Sequence, residues 1–186
     1  MTNKCSNRCD FCIRNNADGA YGSNSLWLER EPTVDEVLSS VFSRNLADFT
    51  EIVFCGYGEP SERLEDVRII AKKIKRDYPN MKIRINTNGQ SDLILGRDSA
   101  PLYDVFDEVS ISLNSSSAES YQRICHSVYG ERAFDAILEF AKNVKNYAKR
   151  VKFSVVREAL SESELSECKK IADDCGVQLR IRDLIT

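Results

Sequence analysis

The chain has 186 residues, 42% of them hydrophobic and 30% charged, enough for one folded domain and too few for two. Its 26 basic and 29 acidic residues give a formal charge of -3 with the signs interspersed, which excludes a general polyanion binder and leaves nucleic acid unsupported. Seven cysteines, an odd number, with no signal peptide and no apolar run of about 18 residues, exclude a disulfide-stapled secreted scaffold and a membrane span; they point to the cytoplasm.

Residues 1–31 read as an irregular region carrying Asn3, Asn7, Asn15, Asn16, Gly19, Gly22, Asn24 and three of the cysteines. Thr33 with Glu36 three positions on forms a capping box, and Val34, Val37, Leu38 and Val41 continue it as an apolar helical stripe. The β-branched and aromatic run 52–55, bounded by Gly56 and Gly58, reads as a buried strand with Cys55 inside it. A helix over 62–77 places Leu64, Val67, Ile70, Ala71 and Ile74 inward. A strand over 81–85 follows, ended by Asn86-Thr87-Asn88-Gly89. The pattern continues with a strand at 109–113, helices near 116–126 and 131–148, and a strand at 151–156. A helix at 161–175 opens on Ser161 and Glu164 and stops at Gly176, and a strand at 177–181 closes the series.

Strands alternating with amphipathic helices through short connections predict an α/β fold, a parallel sheet built as a partial (β/α) barrel with outer helices, in one domain over 1–186. Residues 1–31 form its loop region and 32–186 its β/α repeats. In such sheets chemistry sits at the carboxyl ends of the strands. Gly56, Gly58, Glu59, Asn88, Ser112, Asn114, Arg157 and Glu158 all fall there.

Cys5, Cys9 and Cys12 are spaced Cys-x3-Cys-x2-Cys. Offsets of four and seven align on a helix, but the flanking Asn and Ser residues and the missing apolar face argue against one. Structural zinc needs a fourth ligand, and Cys55, Cys125 and the single His126 are distant in sequence. An iron–sulfur cluster held by three thiolates leaves one iron open to a small molecule.

This spacing, with Phe11 directly before the last cysteine, resembles the signature of the radical S-adenosylmethionine (SAM) superfamily. Gly56-Tyr57-Gly58-Glu59-Pro60 resembles its Gly-Gly-Glu-Pro element, with Tyr57 in place of the commoner glycine. Ile-Val-Phe-Cys-Gly-Tyr-Gly-Glu-Pro-Ser-Glu-Arg, Arg-Ile-Asn-Thr-Asn-Gly-Gln and Ser-Ile-Ser-Leu-Asn are most similar to the TatD-associated subfamily. The resemblance implies a 4Fe-4S cluster on Cys5, Cys9 and Cys12 that chelates SAM and cleaves it reductively to a 5'-deoxyadenosyl radical. It also implies adenine against the backbone beside Phe11, close backbone approach at Gly56 and Gly58, and the SAM ammonium on Glu59. Glu59 is expected to be poorly placed for core packing and well placed for that ammonium. Asn88, Ser112 and Asn114 suit ribose hydroxyls or the methionine carboxylate, and Arg157 could pair with that carboxylate.

Cys55, Cys168 and Cys175 read as small buried hydrophobes, and Cys125-His126 as candidates for proton or hydrogen donation. An electron donor such as flavodoxin or ferredoxin is implied. The substrate is unspecified; five readable strands leave the site open enough for a peptide or protein. Members of the superfamily normally carry a strand before the cysteine loop, and only residues 1–4 precede Cys5, so the strand beginning near Ile52 is expected to lack that neighbour. The competing reading is a non-catalytic metal-binding interaction module, its amino-terminal loop held by zinc or a cluster.

Overall fold

In the computed structural model, which describes residues 1–15, 18–19 and 23–184, the apolar runs become five strands: β1 (Glu51–Phe54), β2 (Lys82–Thr87), β3 (Glu108–Ser112), β4 (Val151–Val156) and β5 (Gln178–Arg182). All neighbours are parallel and the sheet order equals the chain order, so each crossover advances one place in the same direction. That progression is an open arc of a barrel. Among the described residues β1 pairs only with β2 and β5 only with β4.

The helices are α1 (Val34–Phe42), α2 (Leu64–Asp77), α3 (Ser91–Leu95), α4 (Ala118–Cys125), α5 (Arg132–Val144) and α6 (Glu162–Cys175). Both capping boxes form: Thr33 Oγ1 accepts from Glu36 N–H at 3.2 Å while the Glu36 carboxylate accepts from Thr33 N–H at 2.8 Å, and Ser161 with Glu164 repeats the pattern. Gly176 ends α6 in the left-handed region, φ 67°, where a side chain would strain the turn. The core lies between sheet and helices, with Ile83, Ile85, Val109, Ile111 and Phe153 meeting Ile70, Ile74, Ile137 and Phe140, all fully buried.

Four expectations need correction. The helix expected from 62 starts as a 3-10 turn, Pro60–Arg63, because Glu59 caps it from outside with its carboxylate. The helix expected to reach 148 ends at Val144, and α3 was hidden by its five-residue length. β2 runs on through Asn86 and Thr87, so the turn begins only at Asn88. Cys55 lies past the end of β1 and is exposed, whereas Cys168 and Cys175 are buried as expected.

Candidate functional site

The cysteine loop is bound to the end of α4 by its backbone. The last carbonyls of a helix have no partner within it. Here Arg8 N–H donates to Cys125 O at 2.9 Å and Asp10 N–H to Ile124 O at 3.0 Å, while Val128 N–H returns to Ser6 O at 2.9 Å. His126 stops α4 with φ 47°, and its Nε2 lies 2.7 Å from Asp10 Oδ1. Arg14 gathers the other side: its guanidinium donates to the carbonyls of Tyr57 (2.9 Å), Asn7 (3.2 Å) and Asn3 (3.4 Å).

Cys5, Cys9 and Cys12 are each half-buried in this loop. Burial pushes the Cys5 thiol up to about 12, against the pull of the Asn7 N–H, which donates to its sulfur at 3.4 Å. The Cys9 thiol is pushed up by its hydrogen bond with Cys125 and by burial, and the Asn7 side chain opposes both. Among the described residues no three His, Cys, Asp or Glu side chains converge closely enough to hold a metal ion. The fold gathers the three thiols into one anchored loop, not around one point. Their chemistry fits an iron–sulfur cluster: three soft sulfurs on a fixed backbone, with an amide donor already turned toward the Cys5 sulfur.

The Gly56-Tyr57-Gly58-Glu59-Pro60 segment follows β1 directly. At Gly58 a Cβ would meet Thr2 O at 2.1 Å and Lys4 O at 2.7 Å, so the glycine is required by the passage of the amino-terminal backbone. Tyr57 is buried, its ring edge-on to Trp27 at 5.2 Å.

The expectation that Glu59 is free of packing is overturned. Its carboxylate is 4% exposed and accepts from Ser61 N–H (3.0 Å), Ser61 Oγ (2.8 Å), Thr87 Oγ1 (2.7 Å) and Asn88 N–H (2.7 Å). Burial pushes its pKa up and these four donors pull it back. Asn88 is likewise spent on the fold, its Nδ2 donating to Ser6 Oγ at 2.8 Å and its Oδ1 accepting from Gln90 N–H at 3.0 Å.

Asn114, two residues past β3, is different. It is 3% exposed, sits at φ 57°, turns its Nδ2 to Cys125 Sγ at 3.8 Å, and keeps a buried Oδ1 with no partner among the described residues. An orphaned acceptor in a strained conformation beside the cysteine loop is a candidate ligand contact. Ser112 is half-buried opposite Ser154, and Phe11 is half-buried against the core. Arg157 stands apart, pairing with Asp183 at 3.7 Å beside α6 and β5. Cys125 is fully buried, its sulfur 3.8 Å from Asn114 Nδ2, while His126 is at the surface.

The sequence reading missed Asn7, Arg14, Gln90, Tyr121 and Ser127. Asn7 lies inside the Cys-x3-Cys spacing and could have been marked by it. Gln90 and Tyr121 reach Asn7 across 83 and 114 positions, which no local pattern records.

A model of the Radical SAM superfamily matches residues 1–167. No curated protein matches the chain. Its fold is similar to that of Streptococcus suis SuiB bound to the precursor peptide SuiA, at 14% identity and TM-score 0.70, over 98% of this chain and 38% of that one. It is also similar to a radical SAM methyltransferase from Sphaerobacter thermophilus (17%, TM-score 0.67, 96% and 52%). HydG, a maturase of the FeFe-hydrogenase, matches at 13% identity and TM-score 0.65, over 98% and 41%. The chain thus spans from 38% to 52% of the length of these structures.

Proposed function

The chain belongs to the radical SAM superfamily, whose cofactors are a 4Fe-4S cluster and SAM, and from that premise we propose that it cleaves SAM reductively with Cys5, Cys9 and Cys12 as the cluster ligands. The observation that carries this reading is the clamping of those three thiols, by backbone bonds to α4, onto the carboxyl ends of the strands. When bound, the cluster and SAM supply a one-electron cleavage of the sulfonium to methionine and a 5'-deoxyadenosyl radical.

The chain's own residues hold and orient. Asn114 Oδ1 is the acceptor left for a polar group of SAM, with Ser112 beside it, and Phe11 and the backbone at Gly56 flank the adenine and methionine ends. Glu59 and Asn88 serve this site indirectly, by locking the end of β2 to the loops carrying Ser61 and Ser6. Arg157 is outside the contact set.

For substrate we favour a peptide or protein segment, supported by the outer edges of β1 and β5, which pair with no further strand among the described residues, and by the fold shared with a protein solved with its precursor peptide. The sequence wording supports a TatD-associated type. Seven free cysteines suit a reducing cytoplasm and an electron donor such as flavodoxin or ferredoxin. No helix among the described residues is long and apolar enough to cross a membrane.

Metal analysis tests the reading. Anaerobic reconstitution with iron, sulfide and reductant should give a brown protein with about four irons, whose electron paramagnetic resonance signal changes when SAM is added. A colourless protein retaining one zinc through the same treatment would instead establish the metal-binding module.

A further inference from the structure

A directed chain of buried hydrogen bonds ends on Asn7, whose backbone N–H donates to the Cys5 sulfur. It begins at Tyr129, whose N–H donates to Ser127 Oγ at 3.2 Å. With that oxygen already accepting, the Ser127 hydroxyl donates to Gln90 Oε1, 3.0 Å away. The Gln90 amide is thereby fixed in one orientation, and its Nε2 faces Asn7 Oδ1 at 2.8 Å and Tyr121 Oη at 2.9 Å. Asn7 Oδ1 must then be the acceptor, which turns Asn7 Nδ2 toward Tyr121 Oη, 2.8 Å away. The Asn7 backbone N–H meanwhile donates to Cys5 Sγ at 3.4 Å. Gln90 is 0%, Tyr121 0%, Ser127 4% and Asn7 5% exposed, so water cannot substitute for any link.

We infer that the Asn7 backbone N–H is a working donor to the Cys5 sulfur and that Gln90, held by Ser127, is the positioning residue that fixes Asn7 by its side chain and so keeps that N–H on the sulfur. Resting on the cluster reading above, this adds a function for the network: it sets the reduction potential of the centre. Donors to cysteine sulfur stabilise the more negative, reduced state and raise the potential. Loosening Asn7 would draw its N–H away from the Cys5 sulfur and lower it.

The test is a redox titration, followed by electron paramagnetic resonance, of the anaerobically reconstituted wild-type protein and the variants Gln90→Leu and Ser127→Ala. Ser127 touches no cysteine and loses only a hydroxyl, so its variant keeps the test alive if Gln90→Leu does not fold. The expected result is wild-type iron content with the midpoint moved to more negative potential, further for Gln90→Leu than for Ser127→Ala. Unchanged midpoints, even with lowered melting temperatures, overturn the proposal and leave the network purely structural. A wild-type protein that takes up no iron overturns the cluster reading itself, and this inference with it.

Discussion

The two ends of the sheet are built from different chemistry. At the amino ends, Asp107 receives Lys149 at 2.7 Å, Lys75 and the Ile83 N–H at 2.8 Å, and Glu108 is ringed by Arg84, Arg150 and Lys152. At the carboxyl ends the buried polar groups are amides, hydroxyls and thiols, joined by Glu59. Ion pairs near water are weak and screened by salt, each worth at most about 1 kcal/mol when exposed, so the loss of one costs the fold little. Buried neutral networks are directional and fail when one member is lost. Charge therefore holds the end that only has to stay folded, and directional bonds hold the end that has to place three cysteines.

The largest expected break in this comparison is Glu59→Ala. It leaves Ser61, Thr87 and Asn88 donors buried without an acceptor and should destabilise the fold by about 3 kcal/mol or more. Urea unfolding measures it, and a loss below about 1 kcal/mol would mean that water reaches the pocket.

Acid should separate the two ends by sign. Burial raises the Asp107 pKa, but Lys149, Lys75 and the Ile83 amide outweigh it and hold the carboxyl at about 2, below its ordinary 3.8. Its contribution, about 1–2 kcal/mol, is complete above pH 4 and disappears as pH falls toward 2. Glu59 behaves oppositely: its raised pKa lets the folded state take a proton first, so acidification below that pKa favours folding there. Stability measured from pH 6 to pH 2 should fall less steeply in Asp107→Asn and more steeply in Glu59→Gln; equal slopes would refute the assignment.

An effect smaller than that of Glu59→Ala is expected at Gly58→Ala, where the new methyl meets the Thr2 carbonyl. Displacing residues 1–4 should cost about 1–3 kcal/mol and speed hydrogen exchange at the Glu59 amide, which donates to Lys4 O at 2.7 Å. The smallest is Cys168→Ala on α6, buried but remote from the loop, costing about 1 kcal/mol with iron content unchanged.

What could be read from the sequence follows the range of the forces involved. Strands, capping boxes and the Gly176 stop are local, and they stand within one or two residues of expectation, apart from the foreshortened α5. The short α3 carries too few periods to register. At the site, residue types at strand ends were visible but their partners were not: Glu59 finds Thr87 28 positions away, and Asn88 finds Ser6 82 positions away. Glu59 and Asn88 looked free for a ligand and in the fold bond Ser61, Thr87, Ser6 and Gln90, whereas Asn114, equally unremarkable in sequence, keeps a buried oxygen with no partner among the described residues. Cys125 looked like a reactive neighbour of His126; in the fold its sulfur is buried, 3.8 Å from Asn114 Nδ2.

The most direct test of the central claim is product analysis after incubating the anaerobically reconstituted, reduced protein with SAM. The account predicts methionine and 5'-deoxyadenosine in equal amounts, formed slowly even without substrate, and neither product from Cys5→Ala, Cys9→Ala or Cys12→Ala. Intact SAM in a fully cluster-loaded, reduced wild-type sample would contradict it.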